Sequence, residues 1–98
     1  ITVILIQSED MLQIDFAGHA GYAEKGKDIV CAGVSALYYA LTEGVRRQAP
    51  DAVSVSRKSV TIHLSSTAAA AVSEAVVTGL IAIAEAYPRH LSVRRISG

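Results

Sequence analysis

Two side chains in this chain can do nucleophilic chemistry together. Cys31 is the single cysteine, and His19 lies twelve residues before it, with Gly18, Gly21 and Gly26 in and beside the stretch that joins them. A thiol attacks as the thiolate, and an unperturbed cysteine, with a pKa of about 8.5, is mostly protonated at neutral pH. A helix N-terminus, with unpaired N–H groups and the positive end of its dipole, stabilises the thiolate, and so does a neighbouring imidazolium. The same N–H groups, with those of the glycine-containing loop, can donate to the oxyanion formed when a thiolate attacks a carbonyl. A lone cysteine on a helix also has a plainer reading, as a small buried hydrophobe. Residue types alone leave both readings open.

The flanking elements must bring the pair together. Ile1 to Gln7 is an almost unbroken β-branched run, which predicts a strand covered on both faces, and Ser8-Glu9-Asp10 is a polar turn. Leu12, Ile14 and Phe16 alternate with Gln13, Asp15 and Ala17, so the second strand of this hairpin has one wetter face and presents His19 at its end. Residues 20–27 form a loop; eight residues span about 27 Å fully extended, enough to fold His19 back beside Cys31. Asp28 predicts a helix start, its carboxylate accepting the N–H of Cys31 as an N-cap does.

Val30, Val34, Leu37, Leu41 and Val45 make the core stripe of that helix, and Asp28, Cys31, Ser35, Tyr39 and Thr42 a second stripe beside it. The thiol therefore falls in the first turn, at the border of the core. Asp28 is ambivalent: it can cap the helix, oppose thiolate formation, or orient His19 as a third group does in triads. Ser35 is either a hydrogen-bonding neighbour of the thiol or a small residue permitting close packing.

The helix fades near Arg46 to Ala49, because Pro50 disfavours helical geometry in the residue before it. Val53 and Val55, then Val60, Ile62 and Leu64, predict two strands around the turn Ser56-Arg57-Lys58. A second helix runs from about Ala68 to Ala86, with Glu74, Thr78 and Glu85 on one narrow line, and Leu91, Val93 and Arg95 suggest a last strand. The order ββαββαβ implies an α+β fold, a mainly antiparallel sheet carrying two helices, as one domain over residues 1–98. The second helix is so apolar that it predicts cover by the sheet on one side and by the other helix or a second subunit on the other. Its longest apolar stretch, 68–84, is interrupted by Ser73, Glu74 and Thr78, short of the roughly 18 uncharged residues of a membrane span.

Nine Lys and Arg balance nine Asp and Glu, which argues against the basic footprint of non-specific nucleic-acid binding; Arg89, Arg94 and Arg95 read as solvated surface. One cysteine makes no intramolecular disulfide, and no secretory leader opens the chain, so a cytosolic protein is expected. His63 and His90 lack any ligand spacing with Cys31, and neither a metal nor another cofactor is expected. Gly21 to Lys27, GYAEKGK, matches the G-x-x-x-x-G-K of a P-loop, yet Asp28 stands where that motif needs Ser or Thr. GHAG at 18–21 matches the G-x-x-G of a KH domain only as a string, since that loop joins two helices and this one follows a strand. The competing function is a non-catalytic ribosome-associated or phosphate-binding module built on Gly21–Lys27. With 98 residues the core is modest, so burial through a homodimer is a reasonable supplement.

The stretch from Gly18 to Leu37, GHAGYAEKGKDIVCAGVSAL, resembles the signature of the ribosomal-processing cysteine protease family, Prp, also called YsxB-like. The resemblance rests on glycine-histidine-alanine after a strand, then D-I-V-C-A, then a serine four residues past the cysteine; length and element order fit across the chain. It implies a cytosolic bacterial endopeptidase, usually a homodimer, that removes a short N-terminal extension from large-subunit ribosomal protein number twenty-seven, cutting after a pair of apolar aromatic residues and before a small one. By position, Cys31 corresponds to the nucleophile and His19 to its base, while Gly18, Asp28 and Ser35 match supporting residues. Gly33 stands where alanine is more usual. The loop with Gly21, Tyr22 and Gly26 would order over the substrate, its glycines supplying hinge freedom. Tyr22, Tyr38 and Tyr39 can line an aromatic pocket or simply pack half-buried.

Overall fold

The computed structural model describes residues 1–18, 21 and 28–97. Its elements are β1 (Thr2–Gln7), β2 (Met11–Ala17), α1 (Ile29–Gln48), a 3-10 turn (Pro50–Ala52), β3 (Val53–Ser56), β4 (Ser59–His63), α2 (Thr67–Ala86) and β5 (Ser92–Ser97). The ββαββαβ order and α+β class therefore hold. The sheet runs β3-β4-β2-β1-β5. Three of its pairings are antiparallel, and β5 lies parallel to β1, with Val3 opposite Val93 and Ile4 opposite Arg94.

Register and alternation put the apolar residues on one face. Val3, Leu5, Leu12, Ile14, Phe16, Val60 and Ile62 are buried there, beneath Val30, Val34, Leu41 and Val45 of α1 and Val76, Val77 and Leu80 of α2. Side chains on a strand alternate between faces, so Thr2, Ile4 and Ile6 point the other way, where no described helix lies; they are half-buried. Among the described residues, cover on both faces of β1 is thus not found. A β-branched run reads the same whether its second face meets a helix, a partner or water.

The two helices pack closely and antiparallel because glycines sit at their crossings. A Cβ placed on Gly33 would lie 3.2 Å from Ile83 Cδ1, on Gly44 3.3 Å from Val72 Cγ1, and on Gly79 3.1 Å from both methyls of Leu37. At 20 residues, α2 is long and apolar enough to cross a membrane by length and composition alone. It packs as a core helix nonetheless. Ala69, Ser73, Val76, Val77 and Leu80 are buried, Ser73 Oγ donates to the Ala69 carbonyl at 2.7 Å, and Glu74, Thr78 and Glu85 face outward among alanines. Alanine favours helix and adds little apolar surface, which accounts for so apolar a helix needing cover along only part of its circumference.

β3 and β4 join through Arg57 and Lys58, a turn one residue tighter than the expected Ser56-Arg57-Lys58, and Arg57 takes a left-handed φ of 57°. The amide of Phe16 donates to the Lys58 carbonyl at 3.0 Å, which fastens this turn to the end of β2.

Candidate active site

β2 ends at Gly18, whose φ of +82° is a left-handed conformation that L side chains rarely adopt, and the chain leaves the sheet there. Gly21 has φ +65°. His19 lies outside the described residues, as do Tyr22 and Gly26, so the hinge loop and the histidine belong to the sequence reading alone.

Asp28 has extended backbone angles, φ −80° and ψ 101°, and caps α1. Its Oδ1 accepts from the Val30 amide at 3.0 Å and the Cys31 amide at 2.9 Å, while its carbonyl accepts from Ala32 at 3.0 Å. The cap foreseen from sequence is present. It also corrects one expectation: the amides of Val30, Cys31 and Ala32 are already engaged, so the first turn does not offer them to an oxyanion. A capping carboxylate and an oxyanion would compete for the same donors, and the carboxylate is covalently held in place.

Cys31, half-buried, sits in this first turn and lines a cleft of about 1210 Å³ between the N-terminal half of α1 and the end of β2. Gly18, Gly21, Asp28 and Ser35 line it too, so described residues from both ends of the signature stretch meet in one place. Ser35, one turn beyond Cys31, is exposed toward the cleft rather than packed. Tyr38 and Tyr39 complete the α1 wall. Tyr38 packs edge-on against Phe16, ring centroids 5.2 Å apart, and Tyr39 stands edge-on to Tyr38 at 5.4 Å. Tyr38 is thus the half-buried packing residue, whereas Tyr39 is 63% exposed.

Phe16, Ala17 and Lys58 also line the cleft and were not foreseen. Phe16 and Ala17 reach it as the end of β2 just before Gly18, whereas Lys58 reaches it only because β4 lies beside β2, which local periodicity does not reveal. Among the described residues no group of three His, Cys, Asp or Glu could hold a metal ion. His63 is exposed and His90 half-buried.

The cap yields a separable prediction. Asp28→Ala should cost about 1–2 kcal/mol, while Asp28→Asn, which keeps an oxygen acceptor, should stay within about 0.5 kcal/mol of the parent. Urea unfolding of the two variants checks it; equal losses would mean that the carboxylate's charge, not its cap, is what stabilises the turn.

An α+β domain with a helix-start cysteine on a cleft wall has a site in which a thiol nucleophile can meet a peptide, and similarity to known proteins defines the class as cysteine protease. The family model for the cysteine protease Prp matches residues 1–92, and the chain belongs to that family. The ribosomal processing cysteine protease Prp of Mycoplasma genitalium is 38% identical over 86 residues, covering 82% of this chain and 84% of that protein. That of Bacillus subtilis is 36% identical over 44 residues, 45% of this chain and 39% of that one. Among solved structures, an essential ribosomal processing protease Prp from S. aureus with a covalently linked product peptide superposes with TM-score 0.75 at 20% identity, over 97% and 98% of the two chains. A protein from Streptococcus mutans superposes with TM-score 0.73 at 25% identity, over 99% and 94%. The chain is a cysteine protease, not the non-catalytic module that the Gly21–Lys27 string allowed.

Proposed function

We propose that this protease removes the N-terminal extension of large-subunit ribosomal protein number twenty-seven in the bacterial cytoplasm, cutting after a pair of apolar aromatic residues, with Cys31 as nucleophile and His19 as its base. The observation that carries the reading is the placement of Cys31 in the capped first turn of α1, on the wall of the cleft that Gly18 and Gly21 also line. His19 takes the thiol proton as Sγ of Cys31 attacks the scissile carbonyl. Collapse of the tetrahedral intermediate breaks the C–N bond, and the imidazolium gives its proton to the leaving amine. Water, deprotonated by His19, then attacks the thioester; the carboxylic product leaves and the thiol is restored. Asp28 holds the Val30 and Cys31 amides, which favours donors from the loop that bears Gly21, Tyr22 and Gly26 for the oxyanion as that loop orders over the substrate. Gly18 aims His19, Asp28 sets the nucleophile's turn, and Ser35 contacts the substrate one turn along. The test is mass spectrometry of the extension peptide with the parent, Cys31→Ala and His19→Ala.

The enzyme acts as a homodimer through the helix-free face of the sheet. Across three adjacent strands that face carries Asp15, Ile4 and Arg94 in one row, and Gln13, Ile6 and Ile96 in the next. Ile96 is 49% and Met11 37% exposed. A two-fold axis along β1 would set Asp15 of one copy against Arg94 of the other with the isoleucines between them, the self-complementarity an isologous interface requires. Asp15→Arg alone and Arg94→Asp alone should each give monomers in sedimentation, and the double reversal should restore the dimer. A dimer that persists in both single variants would place the interface elsewhere.

A further inference from the structure

The catalytic reading accounts for the thiol, the cap and the glycines, but not for an aromatic ring left in solvent on the cleft wall. Tyr39 is 63% exposed and shares the helix stripe of Cys31 and Ser35. Large exposed rings are ordinarily mobile, and fixing one on binding costs rotamer entropy. Here the ring is held before any ligand arrives. Tyr38 meets it edge-on at an interplanar angle of 83°, and Tyr38 is itself braced edge-on at 84° against Phe16, which is buried in the sheet core. The ladder Phe16–Tyr38–Tyr39 runs from the core to the cleft, and its last ring has an exposed side.

Position along the helix says which part of a peptide that ring would meet. Each residue rises 1.5 Å, so the Tyr39 backbone lies about 12 Å beyond that of Cys31. Helical side chains lean toward the N-terminus, Cys31 as well as the longer Tyr39, so ring and nucleophile stay about 10 Å apart along the helix. An extended peptide advances about 3.3 Å per residue. The ring therefore lies within about three residues of the bond that Cys31 attacks. The nearby walls are Phe16, Ala17, Ala32 and Val34, an apolar surround in which an aromatic guest can take the edge-on or offset geometry that ring quadrupoles favour.

Resting on the protease reading, we propose that Tyr39 is a specificity-determining residue: its pre-held ring is the ledge that receives an apolar aromatic side chain of the substrate, within about three residues of the scissile bond. The guest adds a fourth ring to the ladder. Selection is for ring character, beyond what apolar area alone would give, and the phenolic hydroxyl is dispensable.

The test is kcat and KM for the extension peptide and for versions in which cyclohexylalanine or leucine replaces its aromatic residues near the cut, with the parent, Tyr39→Phe, Tyr39→Leu and Tyr39→Ala. The parent should favour phenylalanine over cyclohexylalanine by about fivefold to tenfold in kcat/KM, the size of an aromatic-pair preference. Tyr39→Phe should keep that ratio. Tyr39→Leu, which retains apolar bulk without a quadrupole, and Tyr39→Ala should bring it to about one, with the change in KM rather than kcat. An unchanged ratio in Tyr39→Ala overturns the ledge while leaving the protease standing. A loss in Tyr39→Phe equal to that in Tyr39→Ala also overturns it, by assigning recognition to the hydroxyl. If the parent cuts none of the peptides, the protease reading fails and the ledge with it.

Discussion

Cys31→Ala should abolish cleavage of the extension peptide, by at least about 10³-fold in kcat, while unfolding within about 1 kcal/mol of the parent. Two features of the site set this contrast. The side chain is only half-buried on a cleft wall, so removing its sulfur opens no sealed cavity of the kind that makes core truncations costly. The turn that carries it is held by backbone bonds to Asp28, none of which involves the thiol. His19→Ala should fall to a similarly low rate, because a nucleophile and its base act as one unit, and the double variant should be hardly slower than either single one. A two-step assay separates the roles. Without its base the thiol still reacts with iodoacetamide at raised pH, whereas Cys31→Ala reacts at none. Mass spectrometry of the peptide checks the first claim and denaturant melts the second; a cut surviving Cys31→Ala would assign the nucleophile elsewhere.

How far such a site is legible in sequence depends on the range of the interactions that build it. The cap was legible because it is local: an aspartate three residues before the thiol, followed by an apolar helical period, is an N-cap signal, although it left open whether the same carboxylate orients His19. The β2 pattern was legible for the same reason, with Leu12, Ile14 and Phe16 buried as their alternation requires. The consequence of the cap was harder to see. An N-terminus named as an oxyanion donor and an aspartate named as its cap are incompatible uses of the Val30 and Cys31 amides, and only the bond lengths decide between them. Lys58 entered the cleft through strand order, which no local window contains. The parallel placement of β5 against β1 is a contact between the two ends of the chain, and it leaves Ile4 and Ile6 on a face whose cover the β-branched run could not specify.

Glycine inside a helix is a local signal of a non-local contact, and it supports the second large prediction. Three such glycines, Gly33, Gly44 and Gly79, line the α1–α2 crossing, each costing about 1 kcal/mol of helix propensity relative to alanine. Whether alanine recovers that cost depends on what its methyl meets. At Gly33 it meets one terminal methyl of Ile83 at 3.2 Å, the far end of a half-buried chain that can rotate aside, so Gly33→Ala should be neutral or stabilising by up to about 1 kcal/mol. At Gly79 the Cβ would face both methyls of Leu37 at 3.1 Å. Relieving one contact by rotation tightens the other, so the whole leucine or the helix must move. Gly79→Val adds two further methyls at that spot and should cost about 3 kcal/mol, lowering the melting temperature by roughly 12–24 °C at the sensitivity of a domain this size. The damage should reach the site, because Leu37 and Cys31 ride on the same helix and pushing α1 away from α2 displaces the nucleophile's turn. Calorimetry of Gly33→Ala and Gly79→Val, with the peptide assay run well below both melting temperatures, checks the pair. A Gly79→Val variant as stable as the parent would show that the helices part without cost, and that the glycines serve no close approach.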